Sequence, residues 1–274
     1  MGESDSRAVL REHEEHDAEQ RTSVRARVVH EAIRRDGEEQ LDRSVAALGW
    51  SALAAGLAMG FSLVTEALLK HHLPEAEWAP LISKAGYGIG FLIVIIGKQQ
   101  LFTENTLTPM IPLMRSPRPK MFANVLRLWT VVFVANMIGA HLIAWFLGST
   151  PVLRHEFHTA MASVAHEAIN VDFWSAFVRG IPAGWLIAMI VWLRAATDSG
   201  EIAIILILTY VVALGGFTHI VAGTVEYLYL VVRGAASWPA FVTGYMIPVL
   251  AGNMIGGISI VAALNHAQVV TEEE

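Results

Sequence analysis

Gly215-Gly216-Phe217-Thr218-His219 cuts through an apolar run that starts at Glu201 and resumes toward Val232. Lys98-Gln99-Gln100-Leu101-Phe102-Thr103-Glu104-Asn105 cuts through another, which starts near Ser83 and resumes toward Met114 with Pro109 and Pro112 inside it. Polar residues and glycines midway along a membrane-length apolar stretch predict a discontinuous helix, whose freed backbone groups must line a cavity or be buried in protein. The two interruptions share a signature. Phe102-Thr103 recurs 115 residues on as Phe217-Thr218, and Asn136-Met137-Ile138-Gly139 recurs 117 residues on as Asn253-Met254-Ile255-Gly256. Gly56 with Gly60-Phe61 is echoed 124 residues on by Gly180 with Gly184-Trp185. Three landmarks in one order predict an internal repeat. Each half holds three apolar stretches, and an odd number makes the second half enter the bilayer from the opposite side. The expected fold is an all-α membrane protein of six transmembrane helices, arranged as a 3+3 inverted repeat with helices 2 and 5 broken.

The other spans follow from runs of the ~20 apolar residues that cross a bilayer. Helix 1 is read as Val45 to Leu69, helix 3 as Phe122 to Leu147, helix 4 as Phe173 to Leu193 and helix 6 as Ala240 to Leu264. Composition agrees: of 274 residues 54% are hydrophobic and only 16% charged, against the ~25% charged of an ordinary soluble domain. Mean hydropathy is +0.48. The net charge of −6 sits mostly in the first 47 residues, which hold 8 Arg and 12 Asp plus Glu. The lipid bilayer is therefore the expected solvent, and nothing points to nucleic acid.

The chain divides into a charged helical extension (1–44), a six-helix channel domain (45–266) and an acidic tail (267–274). In the extension Glu31 with Arg35, and Glu38 and Asp42 with Arg34, fall at helical spacings. His13 and His16, three apart among carboxylates, are better read as a charged helix face than as a metal site. No cofactor or metal is expected. The charged N-terminus is not a cleavable signal peptide, so the first span must serve as insertion signal. Without cysteine there is no disulfide framework and no thiolate. Arg115, Arg118, Lys120 and Arg127 make the densest basic link between spans, which places it, and both termini, in the cytoplasm. The loops at 70–82, 148–172 and 233–239 then face outward.

Four motifs together carry a resemblance: Leu101-Phe102-Thr103-Glu104-Asn105-Thr106, Gly216-Phe217-Thr218-His219, Arg179-Gly180-Ile181-Pro182-Ala183-Gly184-Trp185, and Ile247-Pro248-Val249-Leu250-Ala251-Gly252-Asn253-Met254-Ile255-Gly256-Gly257. Over residues 45 to 266 the chain resembles the formate/nitrite transporter family. The resemblance implies an aquaporin-like protomer in a homopentamer of the inner membrane. Each subunit would pass small monovalent anions or weak acids such as formate, nitrite, lactate or hydrosulfide through its own pore, as a channel or proton-coupled permease. His219 matches the family's central pore histidine, which is thought to protonate or hydrogen-bond the passing anion. Its bland alternative is an imidazole satisfied by backbone at a helix break.

Thr103 matches the threonine of the loop interrupting helix 2; its hydroxyl is placed to bond His219, or to cap the following half-helix. Leu101 and Phe102 would present apolar bulk to the pore, and Thr218 beside His219 belongs to the same set of expected pore residues. Tyr87 and Phe91, four apart on one helical face, would narrow the pore from helix 2, unless they are packed core or face lipid. Apolar rings strip hydration from an ion, so such a constriction favours weak acids crossing as the neutral form.

The chain departs from the family pattern at three places. Gly184 and Gly223 stand where anion-conducting members usually show asparagine, although for Gly184, as for Gly56, Gly60, Gly139, Gly180 and Gly256, close helix packing is the expected role. His166-Glu167-Ala168-Ile169-Asn170 stands where the outer loop usually supplies a lysine, so a carboxylate there would reverse the vestibule potential. Lys98 and Glu104 are a candidate compensating pair or selectivity feature at the second-helix break, or they snorkel to water. Glu226 carries the same two readings. Enzyme motifs are missing: His166-Glu167 lacks the second histidine of a zinc-protease helix, and there is no Gly-x-Ser-x-Gly elbow. Two other readings remain at this stage, a channel for neutral or cationic solutes and a closed-pore scaffold or sensor acting through its extension.

Overall fold

The computed structural model of the protein describes residues 26–197 and 199–271, all helix, turn and loop. His13, His16 and the last three residues of the acidic tail lie outside the described residues. In chain order the helices are α1 Ala26–Asp42, α2 Val45–Ala58, α3 Gly60–His72, α4 Ala79–Ser83, α5 Gly88–Ile96, α6 Met110–Arg115, α7 Pro119–Ser149, α8 His155–Ile169, α9 Phe173–Ala195, α10 Glu201–Leu214 and α11 Ile220–Val232. The last stretch runs through α12 Trp238–Ala240, a π-helical turn Phe241–Met246, α13 Ile247–Ile255, a second π-helical segment Gly256–Ala263, and α14 Leu264–Thr271. A 3-10 turn, Lys84–Tyr87, joins α4 to α5.

Among the described residues five helical stretches are long and apolar enough to cross a membrane: Val45–His72, Ala79–Ile96, Pro119–Ser149, Phe173–Ala195 and Trp238–Gln268. Glu201–Leu214 and Ile220–Val232 are apolar but shorter. The segment 148–172, read from sequence as a loop, contains α8, whose Phe157, Met161, Val164 and Ala165 are buried against the bundle.

Two helix crossings carry the architecture, and each depends on absent side chains. A Cβ on Gly56 would lie 2.3 Å from Asn136 O, and one on Gly139 2.4 Å from Leu53 O, so α2 and α7 touch backbone to backbone. In the other half a Cβ on Gly184 would lie 2.1 Å from Asn253 O, and one on Gly256 2.1 Å from Ile181 O. Lipid offers no hydrophobic drive between spans, so close van der Waals approach is what holds such crossings. Gly184 therefore belongs to the α9–α13 contact, and a side chain there would separate the helices rather than line a passage.

Helices α5 and α10 stop in the same way. Lys98 and Gly216 both adopt the left-handed conformation, at φ 53 and 59. Gln99 N–H donates to Val94 O at 2.9 Å, and Phe217 N–H to Val212 O at 3.0 Å, while Lys98 and Gly216 each donate to a carbonyl three residues back at 3.2 Å. This is the Schellman termination, which satisfies carbonyls left open at a helix end. Glycine adopts it freely but lysine does not. Replacing Lys98 by Gly is accordingly expected to stabilise the protein by on the order of 1 kcal/mol, read as a higher unfolding temperature in detergent; an unchanged or lower value would contradict the strain.

The charged helix α1 lies across one end of the bundle. Val29, Ile33, Gly37 and Leu41, four apart, form its buried stripe, as an amphipathic helix requires. Arg34 bonds Glu31 at 2.7 Å and also Glu38, while Arg35 bonds Glu31 at 2.9 Å. The Arg34 guanidinium, helped by Arg35, holds the Glu31 carboxyl down at about 2. Asp42, expected to join this set, makes no bond to Arg34; it is the last residue of the helix, two turns beyond. Arg127 donates to Leu41 O from α7, and His30 Nε2 meets His266 Nδ1 of α14 at 3.0 Å.

Candidate functional site at the two helix ends

Helix α11 begins at His219, whose extended backbone and ring make it the N-cap: Nδ1 accepts from Ala222 N–H at 3.2 Å. In a neutral imidazole only one nitrogen carries hydrogen. Because Nδ1 spends its lone pair on the cap, Nε2 bears the proton, and Nε2 lies 2.8 Å from Thr103 Oγ1 in the other interrupted segment. The imidazole thus donates to Thr103, whose own hydroxyl hydrogen stays free for a further acceptor. Both side chains are buried. Thr103 caps nothing, since the 3-10 turn that follows it has no side-chain cap bond.

Aromatic rings close one side of this pair. The Phe91 centroid lies 4.9 Å from that of His219 in an edge-on arrangement, and Tyr87 lies 5.2 Å from Phe91. Leu101, fully buried two residues before Thr103, lines a cavity of 460 Å³ together with Glu104, Lys98, Arg194 and Asp36. Helix α1 contributes Asp36 and Glu39 to that cavity, and Arg43 just after it lines it too. Lys98 and Glu104 both line it without forming an ion pair with each other. Phe102 turns away, edge-on to Phe133 at 5.3 Å. Thr218 also turns away, donating to Ala176 O of α9 at 2.7 Å.

What holds the two segments in place was not legible as function in the sequence. Asn136 Oδ1 accepts from Phe102 N–H at 2.9 Å, while its Nδ2 donates to Ala52 O and Gln100 O at 2.7 and 2.9 Å. Asn253 repeats the arrangement: Oδ1 accepts from Ile220 N–H at 2.9 Å, and Nδ2 donates to Gly180 O and Thr218 O at 2.8 and 2.9 Å. One amide thereby satisfies two backbone groups at the interruption and ties them to a carbonyl inside a neighbouring helix, Ala52 O of α2 or Gly180 O of α9. The recurring Asn-Met-Ile-Gly was the available signal. The bonding also corrects the register read from Phe-Thr: Gln100 corresponds to Thr218 and Phe102 to Ile220, which aligns Leu101 with His219.

Beyond the aromatic rings stands a charged group. Glu167 of α8 bonds Lys70 and, at 3.3 Å, Lys84; Lys84 bonds buried Glu66 at 2.5 Å. The carboxylate expected to make the vestibule negative is thus balanced by two lysines. Burial pushes the Glu167 carboxyl up, but Lys70 and Lys84 outweigh it and hold it below the ordinary carboxylate range. A depressed carboxyl stabilises the fold above its unfolded pKa, and that contribution is lost as pH falls through the folded value. Glu167→Gln should therefore flatten the dependence of unfolding temperature on pH below about 5, and an unaltered profile would remove Glu167 from the acid response.

An apolar bundle of membrane-length helices, with an imidazole and a hydroxyl meeting between two helix ends at its centre, defines a multi-pass membrane transport protein. The chain belongs to the formate/nitrite transporter family, whose sequence profile matches residues 27–267. It is 40% identical over 251 residues to the inner membrane protein YfdC of Escherichia coli (strain K12), covering 92% of this chain and 81% of that protein. It is 25% identical over 235 residues to the formate channel FocA of Haemophilus influenzae, covering 76% and 81%. Among solved structures it resembles a pentameric formate channel with formate bound (TM-score 0.69, 17% identity, 82% of this chain and 98% of that one). An FNT family ion channel gives a TM-score of 0.75 at 17% identity, covering 88% and 98%.

Proposed function

We propose that the protein is a homopentameric channel or proton-coupled permease of the inner membrane, passing small monovalent anions or their weak acids through each protomer. The observation that carries this is the buried Thr103–His219 bond at 2.8 Å, made between the two interrupted segments with the Phe91 ring edge-on to His219. The solute passes between apolar walls and meets a free hydroxyl hydrogen on Thr103, backed by an imidazole that can pass a proton. The matching Schellman ends and the matching asparagine latches support six spans in a 3+3 inverted repeat, with α5/α6 and α10/α11 as its broken helices. Both termini lie in the cytoplasm in this reading, and residues 1–44 form an extension whose α1 rests beside the inner cavity. Glu167, Lys70 and Lys84 then face outward. Pentamer and inner membrane follow the proteins it is similar to.

Purified protein in liposomes should take up formate or nitrite down a gradient, and folded protein that moves neither overturns the reading. Passage of neutral or cationic solutes instead is favoured by one observation, the pairing of both vestibule lysines with carboxylates. Glu167→Lys decides between them. Anion uptake should rise severalfold if vestibule potential limits entry, whereas unchanged uptake removes that limit.

A further inference from the structure

Three hydrogen-bonding side chains converge on the Glu167 side of Phe91 without any protein partner. Glu226, Tyr87 and Tyr245 are 5%, 6% and 1% exposed, and among the described residues neither the Glu226 carboxyl nor either phenol hydroxyl has a hydrogen-bond partner. They stand within electrostatic range of one another. Their polar ends are not among the fully enclosed unpartnered atoms, so this place is open to water or a solute that can bond all three, as buried polar groups require.

Their placement connects them to the central pair. His219, Gly223 and Glu226 fall at i, i+4 and i+7 of α11 and share one face. A Cβ on Gly223 would lie 1.7 Å from Tyr245 Oη, so the tyrosine hydroxyl occupies the place of a side chain at 223, one turn from His219. Tyr87 packs on Phe91, and Phe91 on His219. Substituting glycine at 223 therefore does not empty the passage; it admits a hydroxyl from the π-helical turn instead.

We propose that Glu226, Tyr87 and Tyr245 form a second solute station, one ring away from His219, that takes the carboxyl head of a small monocarboxylic acid together with its proton. A single proton bridges the Glu226 carboxyl and the carboxyl head of the solute, and the two phenols donate to the solute's other oxygen. A bare carboxylate set against Glu226 would be repelled, whereas a single proton between the two removes the repulsion. The charged groups around Glu226 are Glu66, Lys84 and Glu167, already engaged with one another, which leaves Glu226 to the solute. The station rests on the transport reading above and narrows its substrate class to carboxylic acids.

The test compares Glu226→Gln, Tyr245→Phe and wild type in liposomes, with formate and with hydrosulfide, which lacks a carboxyl head; thermal stabilisation by formate in detergent is measured alongside. Each variant should raise half-saturation for formate about fivefold, the worth of one hydrogen bond, and lose formate stabilisation while hydrosulfide flux stays near wild type. Unchanged formate saturation overturns the station, and so does equal loss for both solutes. Wild-type protein that moves neither solute sinks the transport reading instead; formate stabilisation that Glu226→Gln removes would still report the station, and its absence would sink both.

Discussion

Replacing His219 by Phe should reduce formate or nitrite flux at least ~100-fold, the usual scale of a positioned proton donor or acceptor. The ring fills much the same space and keeps an edge-on neighbour for Phe91, so packing survives. What goes is Nε2–H toward Thr103 and the Nδ1 cap on Ala222 N–H. Losing the cap alone costs about 1 kcal/mol, which a membrane protein of this size tolerates. His219→Asn separates the two losses, because asparagine caps helices well but relays no proton. Flux retained in the asparagine variant and lost in phenylalanine would assign the effect to capping. Ordinary pH-dependent flux in His219→Phe would remove the proton relay from the mechanism.

Replacing Asn253 by Ala should cost about 2 kcal/mol or more, because Ile220 N–H and Thr218 O lose their partner at once and a buried unsatisfied group costs about 1–3 kcal/mol. Asn136→Ala should match it, leaving Phe102 N–H and Gln100 O open. Unfolding temperature in detergent checks both. Flux should fall with stability in either variant, since each latch fixes one partner of the Thr103–His219 bond. A change in unfolding temperature of only a degree or two would mean that water or a neighbouring group satisfies the break, and that the amides do not position the site.

Much of the site followed from local chemistry. His219 directly after two glycines inside an apolar run, and Thr103 amid polar residues inside another, are costly placements in lipid, and cost of that kind marks a protein-lined interior. Tyr87 and Phe91 could be paired because the helix repeat puts residues four apart on one face. Other assignments required the partner. Thr218 and Phe102 border the breaks just as Thr103 does, yet one bonds α9 and the other packs on Phe133. Gly184 reads the same whether a glycine widens a pore or lets two backbones touch, and only the Asn253 carbonyl against it decides. Glu167 was read as an isolated negative charge because Lys70 and Lys84 are distant in the chain.

Sequence by itself determined the all-helical class, the long apolar stretches and the family, because each is written in apolar run length or in short motifs in fixed order. Tertiary structure alone decided the histidine tautomer, the repeat register set by Asn136 and Asn253, the neutral pairing at Glu167, and the three unpartnered groups around Glu226. The reason is physical: hydrophobicity and backbone propensity act along neighbouring residues, whereas a hydrogen bond or an ion pair belongs to two groups and exists only where folding brings both of them.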